Sequence, residues 1–225
     1  MIVAANFKCN KTRVEFIEYA KVLDSFLKNY PTNKLDVYVA PSFTSFINNE
    51  FSFDIVSQNI YPAMNGAYTG EIGLIQLQEF GINSVILGHC ERRAMGESDE
   101  ILSNKFQFCK ANNLKIIYCI GEDIQTYEKC NTLEFIKFQL ECIDVNYENL
   151  IIAYEPIYSI GKVAAKIEDI EKVCGFLKTL TTRPILYGGS VNASNFENIK
   201  KMCDGVLIGS ASLDVDKFID ILKMV

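Results

Sequence analysis

The acidic residue Glu155 stands directly after the apolar run 150–154 and directly before Pro156. The length and β-branched content of that run are typical of a buried parallel strand, which would carry the carboxylate to the strand's end. A carboxylate there costs free energy unless it performs chemistry or pairs with a cation. Ile160 and Gly161 follow, and they could belong to a loop that closes over it. The spacing alone leaves two interpretations open: a general base beneath a lid, or a strand-end glutamate paired with a neighbouring arginine or lysine.

Other polar residues follow apolar runs in the same way. His89, the only histidine of the chain, comes directly after the run 84–88, and Asn6 and Lys8 stand at the end of the first run. Histidine exchanges protons near neutral pH, and lysine supplies positive charge where an oxyanion develops. A lone histidine is more often packed or exposed, and a lysine just past a strand is more often solvated. Their places at strand ends nevertheless favour a role in chemistry.

Two segments near the end of the chain combine glycine with serine, Gly188-Gly189-Ser190 and Gly209-Ser210. Glycine lets the backbone approach an oxyanion closely, and a helix that starts next presents free N–H groups and the positive end of its dipole. Phosphate sites after the seventh and eighth strands recur in barrel enzymes. The two segments therefore predict a phosphate site, with a simple tight turn as the alternative at each.

The elements that would position these residues recur along the whole chain. Segments with helical periodicity separate the apolar runs, and no Pro- or Ser-rich linker interrupts them. Strand and helix in alternation predict an α/β fold, a (β/α)8 TIM barrel of eight parallel strands with outer helices, as one domain over residues 1–225. An open doubly wound sheet is the alternative, but its first turn is usually glycine-rich, and the first turn here has no glycine. The runs are 2–7, 36–40, 54–58, 84–88, 115–120, 150–154, 185–187 and 205–208.

Three details of the connections can also be predicted. Ser98 is placed to cap the helix that follows it, and residues 124–143 are long enough for one helix. Residues 59–73 are rich in turn residues and long for a connection, which indicates either a functional loop or an ordinary surface loop.

The composition excludes several classes of protein. The 225 residues are 49% hydrophobic and 22% charged, as in ordinary globular proteins. The apolar runs are too short to span a membrane, and the amino terminus lacks the basic start of a signal peptide, so we expect a cytoplasmic protein that does not bind membranes. A net charge of −6 argues against nucleic acid as a partner. Eight cysteines without a C-x-x-C pair, together with one histidine, favour reduced thiols over a zinc site.

The local motifs resemble those of the triosephosphate isomerase family. Asn-Phe-Lys, Asn-Gly-Ala-Tyr-Thr-Gly-Glu, Gly-His-Cys-Glu-Arg-Arg, Tyr-Glu-Pro-Ile-Tyr, Tyr-Gly-Gly-Ser-Val and Asp-Gly-Val-Leu-Ile-Gly occur in the family's order, about one per strand end. The resemblance spans essentially the whole chain. The sequence departs from the family at Cys90 and Ser210, where serine and glycine are usual, at Tyr158, where tryptophan is usual, and at 162–164, where a Thr-Gly-Lys run is usual.

The resemblance implies interconversion of dihydroxyacetone phosphate and D-glyceraldehyde 3-phosphate, a step of glycolysis and gluconeogenesis, without cofactor or metal. It makes Glu155 the base and neutral His89 the hydrogen-bond donor and proton shuttle. Lys8 and Asn6 would stabilise the oxyanion and contact substrate. The remaining expected roles are backbone N–H groups that hold the phosphate at Gly161, Ser190, Gly209 and Ser210, and supporting contacts from Cys90 beside Glu155, from Glu91 to Lys8, and from Arg92 to Glu71.

The family also assembles as a dimer through the loop 59–73. The resemblance therefore implies a homodimer in which Met64 and Asn65 insert beside the partner's Cys9 and the partner's Asn10. Thr69 would reach the active-site base of the other subunit, and Tyr61 would be covered by the contact.

Two rival functions remain open from the sequence. Another phosphate-binding barrel isomerase or synthase would explain the glycines but not Glu155 and His89 in their local contexts. A catalytically silent scaffold barrel is opposed by the presence of Asn6, Lys8, His89 and Glu155 together. The predicted lid, residues 157–165, would close on phosphate-bearing ligands with the Gly161 N–H as its latch, while Tyr187 would bond a lid backbone group near Ala164 or Ala165.

Overall fold

The computed structural model describes residues 1–30, 35–160, 165–191 and 193–225, with the backbone alone at 193 and 194. Eight parallel strands follow one another along these residues, and they confirm the predicted fold class. Five of the predicted strands have the expected bounds, and the other three end earlier than predicted. The strands are β1 Ile2–Asn6, β2 Asp36–Ala40, β3 Asp54–Ile55, β4 Ser84–Leu87, β5 Lys115–Ile120, β6 Leu150–Tyr154, β7 Ile185–Tyr187 and β8 Gly205–Ile208.

The strands form one sheet that closes on itself. Their spatial order is β3-β2-β1-β8-β7-β6-β5-β4, and every pair is parallel. The outer strands β3 and β4 are joined through a bridge between Ser57 and Val85, just past the end of β3. Because all strands run the same way, their carboxyl ends meet at one rim of the barrel, where the predicted site residues stand.

Helices cover the outside of the barrel between the strands. Some connections are short: a 3-10 turn at Phe43–Ser45 alone lies between β2 and β3. The helices are α1 Arg13–Asn29, α2 Leu74–Glu79, α3 Cys90–Ala94, α4 Asp99–Ala111, α5 Ile124–Glu128, α6 Thr132–Leu140, α7 Ile167–Leu180, α8 Ala193–Met202 and α9 Val215–Leu222. None of the helices in the described ranges is long and apolar enough to cross a membrane.

Side chains at the helix starts explain where several helices begin. The Ser98 side chain accepts from the Ile101 N–H, which confirms the predicted cap of α4. The prediction of a single helix within 124–143 is wrong, because α5 and α6 are separate. Cys130 lies between them at φ 56°, in the left-handed region that ends a helix.

The hydrophobic core has two parts, one inside the barrel and one between strands and helices. Alternate strand residues point to the two sides, so each strand contributes to both parts. Small side chains such as Ala4, Ala40 and Ala153 share the barrel interior with larger ones such as Tyr38 and Leu207. Burial on both faces accounts for the near-continuous apolar runs in the sequence.

The loop 59–73 has no helix of its own, as the sequence predicts. Its tip is held by the start of α2, because Leu74 N–H donates to Ala63 O and Ile75 N–H donates to Met64 O. The rings of Tyr61 and Tyr68 pack together with centroids 4.2 Å apart. Gly66 lies at φ +148°, a conformation that other residues rarely adopt. The loop is therefore a shaped projection built from its own contacts.

Barrel closure between β1 and β8 depends on the absence of a side chain at Gly205. A Cβ atom there would overlap the backbone oxygen of Ile2. We expect Gly205→Ala to lower the free energy of unfolding by about 1–3 kcal/mol, the usual effect of overpacking a core. Urea unfolding measures the change.

Gly175 provides the matched control, because a Cβ there, inside α7, meets no atom within 4 Å. Gly175→Ala should leave stability unchanged or raise it by about 0.5–1 kcal/mol, since alanine favours the helix. Equal effects of the two substitutions would contradict the packing argument.

Candidate active site

The predicted catalytic residues meet around one cavity at the carboxyl end of the barrel. The cavity has a volume of about 310 Å³. Side chains from the ends of β1, β4 and β6 lie on one side of it, and the glycine-rich segments after β7 and β8 lie on the other. The lining residues are Asn6, Lys8, His89, Glu155, Ile160, Gly188, Gly189, Ser190, Val191, Leu207, Ile208, Gly209, Ser210 and Ala211.

Glu155 extends β6 by one residue and is buried. Its N–H donates to Ile120 O at 2.7 Å, and its side chain is 3% exposed. The carboxylate oxygen Oε2 has no hydrogen-bond partner among the described residues. Burial raises the pKa of the carboxyl group above 4.5, while the nearby His89 and Lys8 act in the opposite direction. Gly188 leaves room for this side chain, since a Cβ there would lie 2.6 Å from Glu155 Cγ.

His89 caps α3 and faces Glu155 with its other ring nitrogen. Nδ1 accepts a hydrogen bond from the Glu91 N–H at 3.2 Å. A ring nitrogen that accepts carries no proton, so the neutral imidazole has its proton on Nε2. Nε2 lies 3.5 Å from Glu155 Oε1. The histidine therefore presents an N–H group and the glutamate presents a carboxylate oxygen to the same small volume.

Lys8 is held in an unusual backbone conformation, with φ at 53°. Its N–H donates to Asn6 Oδ1 at 3.0 Å, and its carbonyl accepts from Gln58 Nε2 at 2.9 Å. Nζ lies 2.7 Å from Glu91 Oε1, so the lysine and glutamate form an ion pair at the cavity edge. Sequence reasoning missed Gln58, which also donates to Ala40 O and so ties the end of β2 to Lys8.

Two thiols lie beside the carboxylate of Glu155. The Cys90 sulfur, a ring nitrogen of His89 and a carboxylate oxygen of Glu155 lie within 4.8 Å of one another. Burial, followed by the charge of Glu155, raises the pKa of the Cys90 thiol to about 12, so it stays protonated at neutral pH. Cys119, on β5 and fully buried, also has a raised pKa, from burial and from Glu155. Sequence reasoning missed Cys119, although its place in the barrel interior one residue before the end of β5 is the kind of position that reaches this site.

The residues predicted to hold phosphate form the opposite wall. Ser190 Oγ donates to Ser159 O at 2.8 Å, which joins the segment after β7 to the segment after β6. Gly209 precedes the 3-10 turn Ser210–Ser212, whose first N–H groups have no partner within the turn. A Cβ at Gly209 would lie 3.5 Å from Lys8 Cε, so the lysine stem packs against this backbone. Gly161, the fourth predicted phosphate ligand, lies outside the described residues.

Comparison with known proteins gives the same family over the full length of the chain. A family model described as triosephosphate isomerase matches residues 1–225. The chain belongs to the triosephosphate isomerase family. It is 52% identical over 226 residues to the triosephosphate isomerase of Campylobacter jejuni subsp. jejuni serotype O:2, covering 99% of this chain and 100% of the relative. The Campylobacter curvus enzyme is 49% identical over 222 residues, covering 97% and 95%, and the Nitratiruptor enzyme is 46% identical over 230 residues, covering 100% and 98%.

One predicted contact of this triosephosphate isomerase fold is corrected by the structure. Arg92 pairs with Glu97, through Nη2 at 2.7 Å and Nε at 2.9 Å to the same oxygen, and not with Glu71. Glu97 is buried beside the ammonium of Lys105, which in turn donates to Asn59 Oδ1 at 2.7 Å. A buried carboxylate needs both cations, whereas Glu71 is exposed and is solvated by water.

The residues predicted for a dimer contact lie on exposed parts of this triosephosphate isomerase fold. Met64 is 42% exposed at the loop tip, near the exposed Asn65 and Thr69, while Tyr61 is half-buried against Tyr68. A second cavity, of about 330 Å³, lies behind Lys8 and is lined by Cys9, Phe43 and Met95 among others. Asn10 beside it donates to Phe7 O at 2.7 Å.

The burial of Glu155 predicts a pH-dependent gain in stability when its charge is removed. The raised pKa means that the folded protein disfavours the ionised carboxylate. The charge of Glu155 therefore lowers the free energy of unfolding of the wild type at a pH above that pKa, and it has no such effect below pH 4.5, where the group is protonated in both states. We expect Glu155→Gln to raise the melting temperature at pH 8 by a few degrees, since 1 kcal/mol corresponds to about 2–4 °C in a chain of this size. The gain should shrink as the pH falls towards 5.

Thermal unfolding between pH 5 and pH 8 measures this difference. Glu171→Gln, at an exposed position of α7, is the control and should behave as the wild type throughout. A Glu155→Gln protein that is less stable than the wild type at pH 8 would show that the carboxylate makes stabilising contacts instead.

Proposed function

We propose that this site interconverts dihydroxyacetone phosphate and D-glyceraldehyde 3-phosphate through an enediolate, with Glu155 and His89 as its acid–base pair. The observation that carries the proposal is the 3.5 Å separation between Glu155 Oε1 and His89 Nε2 at the wall of one cavity. The reaction moves a proton between adjacent carbon atoms and a second proton between their oxygens. One base and one N–H donor that face the same volume suit both transfers.

Glu155 is the group that removes the proton from the carbon beside the carbonyl. An ordinary carboxylate is a weak base for this task, and the raised pKa of Glu155 makes it a stronger one. The same carboxyl group returns the proton to the neighbouring carbon, so it is a carboxylate again at the end of each turnover. Gly188 leaves the space in which its side chain can approach the substrate.

His89 acts on the oxygen atoms. Because Nδ1 accepts from the Glu91 backbone, Nε2 carries the proton that can be donated to the substrate carbonyl. A neutral imidazole that gives up this proton to one oxygen can take another from the neighbouring hydroxyl. The enediolate then converts between its two forms without a free proton from solvent.

Lys8 and Asn6 stabilise the negative charge that develops on the oxygens. The backbone of Lys8 is fixed by Asn6 and Gln58, so the ammonium is already in place before charge develops. The N–H groups of Ser190, Gly209 and Ser210 would bind the phosphate, and we assign Gly161 to the same task from its sequence motif. The predicted lid, residues 157–165, includes 161–164, which lie outside the described residues. Its closure over the ligand would exclude water, with Tyr187 near Ser159 and Ala165 to hold the closed form.

The reaction as proposed uses no metal or cofactor. The donor atoms of three side chains, His89, Cys90 and Glu155, lie close enough together to share a metal ion. The pKa of the Cys90 thiol is about 12, however, so this thiol keeps its proton at neutral pH. A metal would have to displace that proton and occupy the position of the substrate oxygens. Proton transfer at a carbon beside a carbonyl needs only the base and the donors described.

The rival functions have less support. Another phosphate-binding isomerase or synthase would account for the glycine-rich wall, but the family match extends over residues 1–225 and includes both sides of the cavity. A silent scaffold would not need a buried glutamate, one oxygen of which has no partner among the described residues, beside a histidine of fixed tautomer. The proposed reaction belongs to glycolysis and gluconeogenesis, and we propose a cytoplasmic location and a single barrel domain over residues 1–225.

We also propose that two copies of the chain form a homodimer through the loop 59–73. Its tip, at Met64 and Asn65, would enter the cavity beside the partner's Cys9 and the partner's Asn10, with Thr69 close to the partner's site. The exposed apolar surface of Met64 on one side, and of Met95 (72% exposed) at the rim of the receiving cavity, supports this arrangement.

The catalytic assignment predicts the effect of Glu155→Gln, which keeps the shape of the side chain and removes its basicity. General-base catalysis contributes about 10²–10⁴-fold, so we expect kcat to fall by at least that order with KM nearly unchanged. A coupled isomerase assay in buffer with a chelator measures it, and the chelator should not affect the wild type.

Glu171→Gln serves again as the control and should retain full activity. A folded Glu155→Gln protein with near-normal turnover would remove Glu155 from the mechanism. A wild-type protein without isomerase activity would favour the scaffold interpretation.

The dimer proposal predicts the effect of a charge at the loop tip. We expect the wild type to sediment as a dimer at micromolar concentration and Met64→Glu to shift the equilibrium towards monomer, because a carboxylate cannot be buried in an apolar contact. Phe138→Glu is the matched control, since Phe138 is 58% exposed on α6, away from the loop. A fully active wild-type monomer would contradict the proposal.

A further inference from the structure

Two buried cysteines on the side of the barrel away from the active cavity have their sulfur atoms in close contact. Cys174 lies on α7 and Cys203 lies between α8 and β8, and the two Sγ atoms are 2.9 Å apart. This distance is shorter than the contact between two unbonded sulfur atoms, and about 0.9 Å of movement would bring it to the 2.05 Å length of a disulfide. No other pair of cysteines in the described ranges has its sulfurs in hydrogen-bond contact.

We propose that Cys174 and Cys203 are an oxidative modification site, at which hydrogen peroxide converts the two thiols into an intrachain disulfide. Both cysteines are free thiols in the structure. The sequence predicts reduced cysteines, and the proposal agrees with that state until an oxidant is present.

A groove on the protein surface gives the oxidant a route to one of the two thiols. Cys203 lines a groove of about 460 Å³ at the amino-terminal end of the barrel, beside Ile2, Lys200 and Asp204. Cys203 is 6% exposed, whereas Cys174 is 1% exposed and lies behind it. A peroxide that enters the groove therefore meets Cys203 first, and Cys174 is in position to react with the product.

The surroundings of Cys203 make its reaction with peroxide slow. The hydrogen bond with Cys174, followed by burial, raises the pKa of the Cys203 thiol, and Asp204 adds to that effect. Lys178 acts in the opposite direction, and its ammonium donates to Met202 O at 3.0 Å next to Cys203. Since the thiolate is the reactive form, we expect oxidation over minutes to hours and not the fast response of a dedicated sensor.

The chemistry needs only the two thiols and the peroxide. The sulfur of Cys203 attacks one peroxide oxygen, the O–O bond breaks, and a sulfenic acid and one water form. The sulfur of Cys174 then attacks the sulfur of Cys203, the S–O bond breaks, and the second water leaves. In total, the sulfur pair loses two electrons and two protons, and the peroxide is reduced to two molecules of water.

The new bond would restrain the last third of the barrel. The two cysteines are 29 residues apart, and the segment between them holds the second half of α7, all of β7 and all of α8. Closing such a loop lowers the entropy of the unfolded chain. We expect the melting temperature of the oxidised protein to rise by several degrees, with kcat and KM unchanged because no cavity residue is altered.

The experiment starts from the folded wild-type protein with the exposed thiol of Cys130, which lies outside the proposed dimer contact, blocked by iodoacetamide. The sample is incubated with hydrogen peroxide, treated with catalase, unfolded, and digested without reductant for mass spectrometry. The expected product is one pair of peptides joined through Cys174 and Cys203, lighter by two hydrogen atoms than the separate peptides. Reduction after unfolding should release both.

Three variants separate the proposal from general damage. Cys174→Ser and Cys203→Ser should each lose the joined peptides and the rise in melting temperature while retaining isomerase activity, which shows that they fold. Cys109→Ser removes a buried cysteine of α4 that contacts no other thiol and should keep both effects. Recovery of Cys174 and Cys203 as thiols, as sulfinic acids, or in disulfides with other cysteines would overturn the proposal.

Discussion

The burial of one carboxylate constrains the rest of the active site. Glu155 stands at the end of β6 with a side chain that is 3% exposed, and one of its oxygens has no hydrogen-bond partner in the part of the chain that the structure describes. Water would satisfy that oxygen and lower the basicity of the group, so the surrounding backbone has to exclude water and still leave space for substrate. Gly121 and Gly188 let that backbone approach Glu155 closely, since a Cβ at either position would overlap Glu155. The groups that donate hydrogen bonds to the substrate oxygens then have to come from other strands. Lys8, after β1, and His89, after β4, are these groups.

Much of this arrangement could be predicted from the sequence, for a physical reason. In a parallel barrel all strands end at one rim, so a polar residue that directly follows an apolar run has only one region in which to lie. Glu155, His89 and Lys8 obey this rule, Asn6 is itself the last residue of β1, and each of the four lines the cavity. The near-continuous apolar runs locate the eight strands for a related reason, because both faces of each strand are buried, although β1, β3 and β4 end before their runs do.

Other features depend on contacts between distant parts of the chain, which local patterns do not contain. From the sequence, Arg92 could pair with either Glu71 or Glu97. It pairs with Glu97 because that carboxylate is buried and is shared with Lys105. Cys119 has the pattern of one more apolar strand residue, and the register in which β5 pairs with β6 brings it beside Glu155. The division of 124–143 into α5 and α6 comes from a left-handed residue at Cys130, a type for which that conformation is uncommon.

The position of β1 in the sheet has a consequence for biosynthesis. β1 lies between β2 and β8, and Ile2 pairs with Gly205. The first strand of the chain to be made therefore keeps one open edge until the last strand of the barrel has been synthesised. Contacts between such distant residues form slowly, and an unpaired parallel strand can join the strands of other chains. During translation this edge stays exposed until β8 has been made, so molecular chaperones that shield apolar strands have a long opportunity to act at β1.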